Sequence, residues 1–300
     1  MVKVGFIIFA GMTLAEVEKD FVEQLHLLYA SDEAKNLAWL TIEHICKISK
    51  SQFWLQKQDY QLSDEQRDTI YNVLDQLKTA EPIQYILTET EFYGLPFRVN
   101  KSVLIPRPET EELVDWILKT VKKNPSIAEN IHVLDIGTGS GCIPITLKSY
   151  LPQASLTAID ISRDALAVAT SNAVRNRVDV TFIQDDILNP QSAIQQSSYG
   201  IIVSNPPYVL LSEKEQMHAN VLDHEPHLAL FVPDENALLF YKQIVAFAST
   251  HLNNQGLLFL EINENYGQAM IDLLTQNGFV DIELRKDLRG RDRMLKATVG

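Results

Sequence analysis

The stretch His132-Val-Leu-Asp-Ile-Gly137-Thr-Gly139-Ser-Gly141-Cys142 sets a β-prone run directly against three alternate glycines, and an apolar helical pattern begins near Cys142. Glycine in such a place lets the main chain turn tightly and lets a ligand approach the backbone. The reading is strand, tight loop, helix. The order glycine-x-glycine-x-glycine is not the G-x-G-x-x-G dinucleotide fingerprint, so a pyrophosphate is not required. A turn that needs glycine only for its own geometry is the alternative.

Outward from this loop the chain alternates. Strands are expected at 131–136, 155–160, 178–183, 200–204 and 257–262, with helical patterns between them that include Asp164–Arg175 and Asn236–Leu252. That rhythm implies an α/β fold with a mostly parallel sheet and helices on both faces. Two late candidates, 279–284 and 294–299, are joined by a charged connection without helical periodicity. They read as an antiparallel hairpin at the sheet edge.

Toward the amino terminus the texture is helical. Thr13 and Glu16 form a capping-box pattern before Leu14, Val17, Phe21, Leu25 and Leu28, which recur at helical spacing. Ser31 opens a second segment, and Ser63 with Gln66 opens another, ending at Glu81-Pro82 because proline disfavours helix in the residue before it. Tyr85-Ile86-Leu87, Phe92-Tyr93 and Phe97-Arg98-Val99 flank Gly94-Leu95-Pro96 and read as a hairpin. Pro106 and Pro108 lead into an amphipathic helix. The expected division is a helical domain at 1–80, a hairpin linker at 81–108 and a catalytic domain at 109–300. Trp39 and Trp54 read as core or domain-interface aromatics. The apolar run in Val2–Met12 is too short to span a bilayer and makes a poor signal peptide. It is a packed or frayed terminus, or Met12 is the natural start.

A net charge of −13 and 22% charged residues describe an acidic globular protein whose surface repels phosphates, so a basic protein partner is favoured over a polyanion. Two cysteines, Cys46 and Cys142, fall in no metal or disulfide pattern and fit a reducing compartment.

Three features carry chemistry. Asp160 ends the strand after the glycine loop, about 20 residues on, where a carboxylate can accept hydrogen bonds from ribose hydroxyls; a helix cap is its other reading. An adenosine-type ligand explains loop and carboxylate together. The next strand ends at Gln184-Asp185-Asp186-Ile187, where Asp186 can reach an adenine amino group and Ile187 can pack on its ring, or where the carboxylates are only solvated. The apolar strand Ile201-Ile202-Val203 runs into Ser204-Asn205-Pro206-Pro207-Tyr208. Two prolines hold the backbone extended and remove two donors. The Asn205 side-chain oxygen and the Pro206 carbonyl can accept both hydrogens of one planar NH2 group, and Tyr208 offers a flat face. Such a cradle aims a conjugated nitrogen at an electrophilic methyl group. If acceptance is its main role, Asn205→Asp retains more activity than Asn205→Ala.

These motifs resemble a class I S-adenosylmethionine methyltransferase acting on planar amino groups. The upstream segments Glu81-Pro-Ile-Gln84-Tyr85-Ile-Leu87, Phe92-Tyr-Gly94 and Val103-Leu-Ile-Pro-Arg107-Pro-Glu-Thr-Glu111 are similar to the PrmC/HemK family, which methylates the glutamine of the Gly-Gly-Gln loop in class I peptide chain release factors. The resemblance covers residues 13–300. It implies a Rossmann-like class I methyltransferase fold, cofactor contacts from Gly137, Thr138, Gly139, Ser140, Gly141, Asp160, Asp186, Ile187 and Asn205, and a glutamine amide held by Asn205, Pro206, Pro207 and Tyr208. The catalytic set is then Asn205, Pro206 and Tyr208, with no metal, no membrane and a cytoplasmic location. Two departures are Ile187, where the family often has an aromatic, and Phe231-Val-Pro-Asp-Glu-Asn236 in place of a glycine-rich stretch.

His224-Glu225-Pro226-His227 departs from the metalloprotease spacing, and Pro226 opposes the helix that motif needs. Lys286, Arg289, Arg291 and Arg293 read as a solvated basic face, or as a patch for ribosomal RNA or an acidic partner. The rival functions are a DNA or RNA amino-methyltransferase using the same tetrapeptide and a catalytically silent adenosine-ligand protein.

Overall fold

The computed structural model describes residues 12–124, 131–191 and 193–300. The readings made on Val2–Gly11 lie outside them. The chain forms two compact units, Met1–Leu87 and Thr88–Gly300.

The first unit contains α1 (Leu14–Leu25), α2 (Ser31–Cys46), α3 (Lys50–Gln56), α4 (Asp64–Leu77) and the short α5 (Ile83–Ile86). Thr13–Glu16 and Ser63–Gln66 both form complete capping boxes. A third, Ser49–Gln52, opens α3. Each satisfies backbone donors that a helix start otherwise leaves unpaired. The apolar stripe of α1 (Leu14, Val17, Phe21, Leu25) is fully buried with Ile42, Ile70 and Leu74. Each such side chain contributes about 1.5–3 kcal/mol relative to exposure. Trp39 belongs to this core, edge-on to Phe53 at 5.3 Å. Trp54 does not: it is 58% exposed, with the Lys57 ammonium 4.5 Å above its ring. Helix α3 turns Phe53 inward, so its neighbour points out.

The second unit contains β1 (Glu89–Phe92), β2 (Leu95–Arg98), α6 (Pro108–Lys123), β3 (His132–Ile136), α7 (Cys142–Tyr150), β4 (Ser155–Asp160), α8 (Arg163–Asn176), β5 (Thr181–Gln184), β6 (Tyr199–Ser204), β7 (Val209–Leu210), α9 (Ala219–Leu222), β8 (Phe231–Val232), α10 (Leu239–His251), β9 (Leu252–Glu261), α11 (Gly267–Gln276), β10 (Phe279–Lys286) and β11 (Asp292–Val299). The expected hairpin is β1–β2, displaced from its sequence reading. Tyr85 and Ile86 are helical, started by Pro82 at the N-cap. The turn is Tyr93-Gly94, with φ of 51° and 75°, the two positive values of a two-residue hairpin loop. Leu95 and Pro96 therefore lie in strand, Pro96 opposite Glu91.

Seven strands form one sheet in the order β10-β11-β9-β6-β3-β4-β5. The pairs from β9 to β5 are parallel. The closing hairpin is antiparallel, and β11 lies between β9 and β10. Strand β3 shows why both faces are covered. Val133 joins a core with α6 and α7, while Leu134 and Ile136 join a second core with α10 and α11. A strand buried on both sides reads as a continuous apolar run.

Candidate active site

From β3 the chain moves to β4 and β5, then returns across β3 to form β6. The loops leaving β3 and β6 diverge at this reversal, where doubly wound sheets open a crevice beyond their strand ends. A cavity of about 340 Å³ lies there, lined by both loops, by the ends of β4 and β5, and by the Arg107–Thr110 turn at the start of α6.

The glycine loop is held at several points. Gly137 N and Thr138 N donate to Ile159 O at 2.9 and 3.0 Å. Gly139 N donates to Asp160 Oδ2 at 2.9 Å, and Ser162 N donates to Asp160 Oδ1 at 2.9 Å. The helix cap of α8 is Ser162. Asp160 instead ties two loops together and keeps further lone pairs on both oxygens for a ligand. Its burial holds its carboxyl above the ordinary range, against the backbone donors of Ser162 and Gly139. Gly141 has φ +80°, and a Cβ there would sit 2.8 Å from Ile145 Cδ1 and 3.1 Å from Ala169 Cβ. Its role is close packing of loop on helix. Asn172, fully buried, donates to Ser140 O and to Arg98 O at 2.9 Å and accepts from Arg98 N at 2.6 Å. It joins the loop to strand β2.

Across the cavity, the Asn205-Pro-Pro-Tyr208 turn hangs on a buried polar group. Asn205 Nδ2 donates to Thr110 Oγ1 at 3.1 Å, Thr110 Oγ1 donates to Glu261 Oε2 at 2.7 Å, and Tyr208 OH donates to Glu261 Oε1 at 3.1 Å. Glu261 ends β9 and is 1% exposed. Burial raises its pKa, opposed by the two hydroxyl donors and by the Arg293 guanidinium. Burial also pushes the Tyr208 phenol up, and the Glu261 charge adds to the shift. Asn263 Nδ2 closes the turn on Tyr208 O at 3.2 Å.

Gly137, Thr138, Gly139, Ser140, Asp160, Asp186, Ile187, Asn205, Pro206 and Pro207 all line this one cavity. Gly141 and Tyr208 are not among its lining residues. Asp186 accepts from Leu188 N at 2.9 Å, Asp185 accepts from Asp186 N at 2.9 Å, and Ile187 is buried. Asp135, Asn172, Thr110, Arg107 and Glu261 escaped the sequence reading as site residues. A signal existed for two of them. Asp135 and Glu261 are charged residues inside otherwise apolar strands, where an ionised group is found only with a partner or a perturbed pKa. Burial pushes Asp135 up to about 7.

The basic residues near the carboxyl end are mostly paired with acids: Lys286 with Asp292, Arg291 with Glu264, and Arg293 with Asp287 and Glu264. His227 Nε2 lies 2.8 Å from Leu222 O, and Glu225 pairs with Arg107 at 2.5 Å.

Two family models match the chain: the PrmC N-terminal domain over residues 19–87 and the methyltransferase small domain over residues 114–227. A release factor glutamine methyltransferase of Flavobacterium psychrophilum is 46% identical, with 95% of this chain and 99% of that protein covered. The chain belongs to the release factor glutamine methyltransferase family. A member from Bacteroides thetaiotaomicron is 45% identical over 92% of this chain and 96% of its own length. Among solved structures, a methyltransferase of Pyrococcus furiosus matches with a TM-score of 0.50 at 15% identity, covering 79% of this chain and 100% of that one. The 16S rRNA N2 G1207 methyltransferase of Thermus thermophilus, solved with AdoMet and guanosine, matches with a TM-score of 0.51 at 17% identity, covering 71% of this chain and 50% of its own. Both establish the class I methyltransferase fold. No helix among the described residues is long and apolar enough to cross a membrane.

Proposed function

We propose that this chain transfers the methyl group of S-adenosylmethionine to the side-chain amide nitrogen of the glutamine in the Gly-Gly-Gln loop of class I peptide release factors, in the cytoplasm. The observation that carries the reading is the shared cavity: the glycine loop after β3 and the Asn205-Pro-Pro-Tyr208 turn after β6 open into the same space. The family membership supports the substrate.

The cavity suits an adenosine-type cofactor. Asp160 keeps lone pairs for ribose hydroxyls, Asp186 offers an acceptor for a polar base edge, and Ile187, Ile143 and Ile161 supply apolar wall. The cofactor supplies an electrophilic methyl on a sulfonium that leaves as a neutral thioether. The rest falls to the protein. Asn205 Oδ1 accepts one amide hydrogen of the glutamine and the Pro206 carbonyl accepts the other. This tilts the nitrogen lone pair toward the methyl and strengthens as positive charge grows on nitrogen. The amide proton passes to water after transfer, when its acidity has risen, so the turn needs no strong base. Orientation and carbonyl electrostatics carry the rate.

Residues of the first unit, with their own apolar core, serve as the docking domain for the protein substrate. The test of the reading is label transfer: the protein with methyl-labelled cofactor and, in parallel, release factor, DNA or RNA. Label on release factor supports it. Label on nucleic acid overturns it.

A further inference from the structure

We infer that Thr110 and Glu261 are positioning residues that fix which way round the Asn205 side-chain amide stands. The inference rests on the proposed role of Asn205. An amide can present oxygen or NH2 to the cavity, and only the oxygen can accept a hydrogen from a substrate NH2. The choice follows from donor counting. An ionised carboxylate only accepts. Thr110 Oγ1 lies 2.7 Å from Glu261 Oε2, so its single proton is committed to Glu261. What remains on Thr110 Oγ1 is acceptor capacity. Asn205, 3.1 Å away, must meet it with Nδ2, and its oxygen is left toward the cavity. The order Asn205 NH2 to Thr110 OH to Glu261 carboxylate therefore has one polarity.

The same carboxylate takes the Tyr208 hydroxyl on its other oxygen at 3.1 Å. Both ends of the Asn-Pro-Pro-Tyr turn are thus referred to one buried group. Thr110 is 2% exposed and Glu261 1%, so water does not compete for these bonds. The three residues come from the start of α6, the end of β6 and the end of β9, elements far apart in sequence. Burial raises the Glu261 pKa, and the two hydroxyls that donate to it, with the Arg293 charge, oppose that rise and favour the acceptor-only form.

The test compares Thr110→Val, Thr110→Ser and Glu261→Gln in the full-length protein, by single-turnover methyl transfer to release factor, by KM for release factor and by cofactor affinity. Thr110→Val removes the relay hydroxyl at nearly constant shape. Its rate is expected to fall about 10- to 100-fold with cofactor Kd and KM unchanged, while Thr110→Ser stays within about threefold of wild type. Glu261→Gln places a donor where only an acceptor serves, and loses rate likewise. In an Asn205→Ala background, Thr110→Val adds nothing. The inference is overturned by a wild-type rate for Glu261→Gln, by equal losses for Val and Ser at position 110, or by a full Thr110→Val effect without Asn205. If Thr110→Val does not fold, Glu261→Gln decides. A wild-type rate for Asn205→Ala itself would instead remove the functional reading beneath it.

Discussion

Arg107 Nη2 donates to Glu225 Oε1 at 2.5 Å, and the Glu225 side chain is 1% exposed. This bond joins two motifs that look unrelated in the sequence, the Arg-Pro-Glu-Thr-Glu stretch and His224-Glu225-Pro226-His227. Ile105 N also donates to Glu225, to Oε2 at 3.3 Å. Arg107→Ala leaves a buried carboxylate short of its main partner. Unfolding in denaturant is expected to show a loss of about 1–3 kcal/mol, with a smaller loss for Arg107→Lys. Unchanged stability for Arg107→Ala would show that water replaces the guanidinium.

Much of the sheet is legible because its central strands are apolar on both faces and are bounded by clear breakers. The expected and observed strands at 155–160 coincide, and the missing helical period marks the closing hairpin. The hairpin at Glu89–Arg98 was misplaced because Tyr85-Ile86-Leu87 is apolar and aromatic enough for strand, while Pro82 starts a helical turn there. Helix α3 escaped although Ser49 and Gln52 carry its capping box. Loop glycines and the Asn-Pro-Pro-Tyr turn announce themselves through local backbone chemistry. Thr110 and Asn172 do not, because their partners are brought to them only by the tertiary fold, and Glu261 shows itself only as an acid inside an apolar strand.

Asp135 provides a pH signature. Burial is the main cause that raises its folded pKa to about 7 from the ordinary 3.8, with Thr138 opposing and Asp160 adding to the shift. The folded protein therefore favours the neutral side chain. Stability from this group is fully present below the unfolded value of 3.8 and is lost as pH rises through about 7. Asp135→Asn removes the titration. Its melting temperature relative to wild type should rise by a few degrees between mildly acidic and mildly alkaline buffer. A difference that stays constant with pH would refute the assignment.

Asp160→Ala removes an acceptor from Gly139 and Ser162, and with it the acceptor proposed for the ribose hydroxyls. Charge-assisted bonds of this type contribute about 1.5–3 kcal/mol each. Calorimetry should show cofactor binding weakened by roughly 10- to 100-fold. An unchanged Kd in a folded variant would exclude the ribose role.

The network around Asn205 revises one expectation drawn from residue chemistry alone. Asn205→Asp keeps an acceptor, but it has no donor for Thr110 Oγ1, whose own proton goes to Glu261. Two carboxylates would then face one hydroxyl. Single-turnover rates should place Asn205→Asp no higher than Asn205→Ala. A clearly faster Asp variant would mean that Thr110 turns its proton to position 205 at little cost.

The most direct measurement is single-turnover methyl transfer at saturating cofactor, with the methylated residue mapped by peptide mass spectrometry for wild type and Asn205→Ala. One methyl is expected on the glutamine amide nitrogen of the release-factor Gly-Gly-Gln loop, formed about 10²- to 10³-fold more slowly by the variant, as for loss of one preorganised hydrogen bond at a reacting centre. Transfer to any other residue by the wild type, or an Asn205→Ala rate equal to wild type in a folded protein, would contradict it.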